Sequence, residues 1–515
     1  MSPHEGPPGL LGRYLPSSRV NRMTTFMESL ARADGETTVV ELVPWAGPLQ
    51  DEAGDRHRQI AAELAADPRV TALTITDNAG GFVRLGPLTL GKALRDLGSE
   101  VVVHLACRDR SRAALQSVAF GLASEGLTNV LALSGDYPKE GFEGRSRAVF
   151  DIDSVSLAKM LRHLSENGPR FNVGVAINPF KALEADLVPQ YLKLDMKVRA
   201  GADMAITQVG YDARSWSELL QWNQAGPGIP LLAGVYILTK GVARVFNSDG
   251  VPGIRLSDDL KAWVDRAAAD DDKGRARFLE LAAKQVGVAR GMGFHGVYLA
   301  GQRNVAEVDR VLDMAEAFRA DWRSLLTDIS WPEAKPWRMF EPGDVPQLAS
   351  PQRSRPGRNK RVPLTYRFNR LVHDHVFEPD SRGFDVARGV YGRLEQAKLM
   401  WPAHVAEQAV KFPLFQCHDC GDCSLPDIAY QCPEGACAKN QRNGPCGGTL
   451  NGECEVPGKP CVWTVAYDRL KPYGEAETML EREPVIQDNI LRGTSAWANT
   501  FMGRDHYGHR KGDDE

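Results

Sequence analysis

This 515-residue chain has no excess of charge of either sign: 62 Lys and Arg stand against 66 Asp and Glu, a net charge of −4. That balance gives no support to a nucleic-acid partner or to attraction towards a membrane surface. No apolar run reaches the length of a membrane span. The opening residues, MSPHEGPPGLLGRYLPSS, lack the apolar core of a secretion signal. A cytoplasmic protein with a flexible lead-in over 1–23 is therefore expected. Cysteine is almost missing before residue 417, where Cys107 stands alone; the other eight fall between 417 and 461. In a long chain without a signal peptide, such clustering points to metal rather than disulfides.

The residues that are present, 43% hydrophobic and 25% charged, suit a soluble protein of two or three domains. From about residue 24 to 325, strand-like and helix-like pieces alternate. Strands are expected near 37–43, 70–76, 101–105, 130–134, 172–177, 204–208, 230–235 and 296–300. Amphipathic helical stretches separate them, at 56–66, 112–125, 154–166, 185–200, 215–223, 277–291 and 305–320. Eight β/α units of this length predict a (β/α)8 TIM barrel, with a doubly wound sheet as the alternative. The long unit between the last two strands is expected to add loop or helix at the mouth. Residues 326–363 read as a Pro- and Arg-rich linker, 364–480 as a small cysteine-rich metal-binding domain, and 481–515 as a polar tail.

In a parallel barrel, ligands meet residues at the C-terminal ends of strands. Val130-Leu-Ala-Leu-Ser-Gly-Asp136 is a buried strand that ends on small residues and a carboxylate. The other ends carry Glu41, Thr76, His104, Asn178 and Gln208, and Lys197 lies in the helix before the sixth strand. Each alone is explained by a turn or a cap; together they form one candidate site. Glu41 follows two valines and precedes Pro44, where an acid costs stability unless it faces the mouth. Two motifs are set aside. Gly291-Met-Gly-Phe-His-Gly296 ends a helix and precedes a strand, the reverse of a dinucleotide fingerprint. His373-Asp-His375 has no third ligand at a diagnostic spacing.

Several pieces resemble methylenetetrahydrofolate reductase, a flavin-dependent (β/α)8 barrel. They are Val40-Glu41-Leu-Val-Pro44, Thr74-Ile-Thr76, Val103-His-Leu-Ala-Cys-Arg-Asp109, Ala132-Leu-Ser-Gly-Asp136 and Lys197-Val-Arg-Ala-Gly-Ala-Asp-Met-Ala-Ile-Thr-Gln208. The resemblance implies that Glu41 is the catalytic acid at the folate N10 and that Asp136 is a carboxylate near flavin and folate. It implies that Gln208 binds the pterin. Thr76, His104 and Lys197 would contact the flavin, whose bed is the backbone of Leu133, Ser134 and Gly135. There are departures: Asn178 stands where a tyrosine often lies against the flavin, and Gln190 replaces an acid near its ribityl or phosphate region. Phe246 is the candidate aromatic of the seventh unit. FAD is expected ahead of FMN.

The cysteines run Cys417-x2-Cys420-x2-Cys423-x8-Cys432-Pro433, then Cys437, Cys446, Cys454 and Cys461. The first run resembles bacterial ferredoxin ligation, and eight thiolates suit two four-cysteine sites. Structural zinc is the alternative. With Asn443-Gly-Pro-Cys-Gly-Gly448 and Cys461-Val-Trp463, the segment also resembles the cysteine-rich C-terminal domain fused to, or partnered with, some bacterial methylenetetrahydrofolate reductases. Related partner subunits in acetogens are associated with iron–sulfur clusters. The resemblances imply an oxidoreductase acting on CH–NH donors, which turns 5,10-methylenetetrahydrofolate into 5-methyltetrahydrofolate for methionine supply. NAD(P)H, or an iron–sulfur or ferredoxin-linked donor protein, would reduce the flavin, and a homo-oligomer is expected. The alternatives are a folate-dependent methyltransferase or demethylase on the same barrel, or a barrel reductase with a purely structural zinc docking domain.

Overall fold

The computed structural model describes residues 25–509, except 33, 249 and 250; the expected lead-in over 1–23 lies outside them. Eight parallel strands close a barrel in sequence order: β1 (Thr37–Leu42), β2 (Ala72–Ile75), β3 (Val101–Ala106), β4 (Asn129–Leu133), β5 (Asn172–Ile177), β6 (Met204–Thr207), β7 (Leu231–Tyr236) and β8 (Gly296–Ala300). β1 pairs with both β2 and β8, which completes the circle.

The strands are apolar on both faces because helices cover the outside and side chains fill the inside. Alternation sorts the two sets. Val40, Leu42, Val101, Val103, Val130 and Ala132 belong to the outer layer, beneath the helices. Val39, Ala72, Val102, Leu131, Met204, Ile206, Leu232 and Tyr298 fill the interior. Gly174 is small because a Cβ there would lie 2.6 Å from Met204 Cε. The helix Phe26–Arg32 inserts Phe26 and Leu30 into the same cluster and plugs one end of the barrel. The long seventh unit holds the helices Lys240–Asn247 and Asp258–Ala267 before Arg275–Met292. Gly293, at φ +101°, caps that last helix, and Gly296 opens β8, so 291–296 ends a helix and enters a strand.

The segment 326–363 is not featureless. It carries a hairpin, Phe340–Pro342 with Ala349–Arg353. Arg214 donates to the Phe340 carbonyl at 2.6 Å, and Glu218 accepts from the Met339 amide at 3.2 Å. The helices Leu364–Val372, Arg382–Gln396 and Met400–Phe415 follow, then the cysteine-rich turns and the helix Val462–Leu470. The last helix packs on Glu184–Arg199 of the barrel. There Asp186 accepts from Thr464 Oγ1 at 2.5 Å and from the Gly452 amide at 2.9 Å. Residues 485–509 also fold back: Ser495 donates to Glu407 at 2.6 Å, and His506 sits buried between Asp422 and Asp427. Among the described residues, no helix is long and apolar enough to cross a membrane.

Candidate active site at the barrel mouth

Glu41, Thr76, His104, Asn178 and Gln208 all have the inward parity of their strands, two residues along from Val39, Thr74, Val102, Ala176 and Ile206. The sheet therefore turns five polar side chains towards one mouth. Glu41 accepts from the Tyr298 hydroxyl at 2.5 Å, and Tyr298 Oη lies 3.5 Å from His104 Nε2. Burial pushes the Glu41 carboxyl above its usual range, and the Tyr298 hydrogen bond only partly offsets this. Burial likewise lowers His104 to about 3, so this imidazole is neutral at ordinary pH. Gln302 Nε2 donates to the Glu41 carbonyl at 2.5 Å and holds the backbone there. A carboxyl whose pKa is raised by burial, beside a neutral histidine and a phenol, has the surroundings that suit proton transfer in an enclosed site.

Asp136 points towards the loop after β2, where its Oδ2 accepts from the Gly80 amide at 2.7 Å. Gly135 makes this turn possible: its φ is +86°, and a Cβ would lie 3.0 Å from the Cβ atoms of Ala106 and Arg108. Gln208 accepts from the Val209 amide at 2.9 Å. Lys197 Nζ donates to the Ala176 carbonyl at 2.6 Å, and burial, then neighbouring Lys193, brings its pKa down to about 7. Phe246 packs edge-on against Tyr236, centroids 5.3 Å apart. Leu133 lies at the rim of the interior cluster, and Ser134 is buried.

Sequence reasoning did not single out Tyr298, Gln302 or the contributions of the second domain. Tyr298 had a signal: within β8 it shares the inward parity of Ala300. The second domain reaches the mouth directly. Lys439 Nζ donates to the Gly135 carbonyl at 2.7 Å, and the Ser134 hydroxyl donates to Gln441 Oε1 at 3.0 Å.

The eight clustered thiols divide in space as the sequence divides them. Cys417, Cys420, Cys423 and Cys432 feel one another's charge, as do Cys437, Cys446, Cys454 and Cys461. Burial pushes Cys423 and Cys437 up to about 12 and Cys454 up to about 11. All nine cysteines are free. Two all-thiol groups of four fit iron–sulfur or zinc in donor type and number. Among the described residues, however, no three His, Cys, Asp or Glu side chains converge to hold a metal ion. A cavity of about 620 Å³ opens beside Cys423, among Phe377, Phe384, Trp497 and Phe501, away from the mouth.

The family model for methylenetetrahydrofolate reductase matches residues 57–313, and the model described as methylene-tetrahydrofolate reductase C terminal matches 399–489. A Salmonella typhimurium 5,10-methylenetetrahydrofolate reductase is 30% identical over 223 residues, 42% of this chain and 69% of that protein. The chain belongs to the methylenetetrahydrofolate reductase family. The Pectobacterium carotovorum enzyme is 30% identical over 29% of this chain and 47% of its own length. Methylenetetrahydrofolate reductase (NADH) 1 of Arabidopsis thaliana is 26% identical, over 42% of this chain and 38% of that protein. The chain thus spans about half or less of several of its curated relatives. A solved Clostridium thermocellum protein, described as binding two copies of 5-methyl-5,6,7,8-tetrahydrofolic acid, overlaps 57% of this chain and 99% of that one. Its TM-score of 0.40 and 11% identity are too low to carry an argument.

The family implies a flavin, and the mouth fits its ring end. Thr76 Oγ1 and Gln190 Nε2 are buried there without a hydrogen-bond partner, as expected of atoms that meet a ligand.

Proposed function

We propose that the protein reduces 5,10-methylenetetrahydrofolate to 5-methyltetrahydrofolate. The observation that carries this reading is the buried Glu41–Tyr298 pair at a mouth shared with Thr76, His104 and Gln208, in a chain of this family. Reduced flavin, when bound, supplies a hydride from its N5 to the methylene carbon. Glu41 has the complementary task. The methylene carbon accepts hydride readily only as an iminium, so N10 must first be protonated and the five-membered ring opened. A carboxyl whose hold on its proton is strengthened by burial, on the floor of the mouth, is suited to pass that proton to N10. Gln208 orients the pterin through its amide. Asp136, held by the Gly80 amide, places a carboxylate at the β4 end beside flavin and folate.

Thr76, His104, Lys197 and the backbone of Leu133, Ser134 and Gly135 hold the flavin in this reading. NAD(P)H at the barrel, or a donor acting through the cysteine domain, would supply the electrons. The eight cysteines from 417 to 461 would hold the metal, as iron–sulfur or as zinc. Anaerobic purification with flavin, iron and zinc analysis tests the assignment. A yellow protein that turns over methylenetetrahydrofolate supports the reductase. A colourless protein that binds folate and moves its methyl group without flavin supports the transferase alternative.

A further inference from the structure

The polar groups at the ends of β4 and β5 are turned on the second domain. Lys193, buried in the helix Glu184–Arg199, donates to Gln441 Oε1 at 3.1 Å, the Gly444 carbonyl at 3.0 Å and the Pro445 carbonyl at 3.0 Å. These are all three protons of its ammonium group. Lys181 Nζ donates to the carbonyls of Gly447 at 2.7 Å and Thr449 at 2.5 Å. Asn178 Nδ2 donates to the Gly253 carbonyl at 2.9 Å and the Gly447 carbonyl at 3.3 Å. Both lysines and Asn178 are buried.

Two buried lysines on the β5–β6 connection, Lys181 in the loop after β5 and Lys193 in the helix that follows, are cations of the kind that bind a phosphate. Here backbone carbonyls take that place. The carbonyls belong to 439–449, and this segment is itself fixed. The Asn443 amide donates to Asp153 at 3.0 Å, Trp463 Nε1 donates to the Gln441 carbonyl at 3.0 Å, and Gln441 and Asn443 are fully buried. Among the unpartnered buried atoms, Thr76 Oγ1 lies at the end of β2, Gln190 Nε2 belongs to a helix side chain whose Oε1 is next to Gly447, and Asn440 Oδ1 and Arg442 Nε lie within the segment itself.

We propose that segment 439–449 is a built-in occupant of the anion-binding side of the mouth. Ligand affinity in this barrel then comes from a flavin's ring and ribityl chain, with nothing contributed by its phosphates or its ADP half. This rests on the flavin reading above, and it removes the ground for expecting FAD ahead of FMN. The physical reason is occupancy: a phosphate at Lys181 or Lys193 must first strip carbonyls from a buried ammonium group, a loss of charge-assisted hydrogen bonds that its own binding only restores.

The test measures riboflavin, FMN and FAD affinities on the full-length protein by flavin fluorescence, and hydrogen exchange of 439–449 alongside. The expected result is three affinities within about threefold of one another, with the 439–449 amides protected before and after FAD is added. FAD more than tenfold tighter than riboflavin, or protection lost as FAD binds, overturns the proposal. Lys193→Met is expected to release protection in 439–449 and leave the ratio of FAD to riboflavin affinity unchanged; a selective loss of FAD affinity counts against it. If that variant does not fold, the wild-type affinity series and exchange decide. If no flavin binds, the flavin reading fails on its own, and protection that survives millimolar ADP still supports the occupied anion side, while loss of it overturns that occupancy.

Discussion

The Tyr298 hydroxyl reaches Glu41 from the neighbouring strand β8, 2.5 Å from Oε2, and shares the space with His104. It stabilises the charged carboxylate against a burial that favours the neutral acid. Tyr298→Phe removes that bond, a contact to a charged group worth about 1.5–3 kcal/mol. Glu41 then holds its proton to higher pH. The alkaline limb of the turnover profile is expected to move up in the variant, measured as kcat/KM against pH. A limb that stays in place separates Tyr298 from the proton donor.

Glu41 also links stability to pH. Its pKa in the folded protein is above that of the unfolded chain, so the folded state holds the extra proton. The contribution is complete below the unfolded value and is lost as pH rises through the folded one. Glu41→Gln cannot lose it. The variant's Tm is expected to gain on the wild type between pH 5 and pH 9, and a constant difference over that range contradicts the burial of this acid.

His506 shows the same sign in the second domain. Burial opposes its charge, but hydrogen bonds to Asp422 and Asp427 prevail and raise it to about 9. The pair of contacts contributes about 2–4 kcal/mol below the ordinary histidine range, and this is lost as pH rises through about 9. His506→Gln is expected to flatten the fall of Tm between pH 7 and pH 10, read by thermal denaturation. A wild-type Tm that does not fall there contradicts the assignment.

The eight strands were legible because each is a short apolar run between helical periods, and the site was legible because strand ends break those runs with Glu41, Thr76, His104 and Asp136. The sequence also showed the two groups of cysteines, Cys417 to Cys432 and Cys437 to Cys461. The helix Pro87–Asp96 was not foreseen, since Gly91 and Thr89 blur its apolar face. Nor was the folding of 485–509, whose anchors Ser495 and His506 are polar and meet Glu407 and Asp422 from distant sequence. The contacts of Lys181, Lys193 and Lys439 were not foreseen, because most of their partners are backbone carbonyls, which carry no sequence signal.

The cysteine groups are expected to differ in what they control. Cys446 lies within the segment that meets Lys193 and Lys181, whereas Cys420 lies in the turn beside Asp422 and Asn499. Cys446→Ser is expected to lose metal and to loosen 439–449 in hydrogen exchange, while Cys420→Ser loses metal and leaves that segment protected. Equal exchange in the two variants contradicts separate roles.

The proposed role of Glu41 as proton source for the reduction of methylenetetrahydrofolate is tested most directly by anaerobic stopped-flow oxidation of the pre-reduced flavoprotein by that substrate. Glu41→Gln is expected to bind flavin and to be reduced normally, yet to be reoxidised by the folate roughly 10²–10⁴-fold more slowly than wild type. Reoxidation at the wild-type rate would remove Glu41 from the reaction.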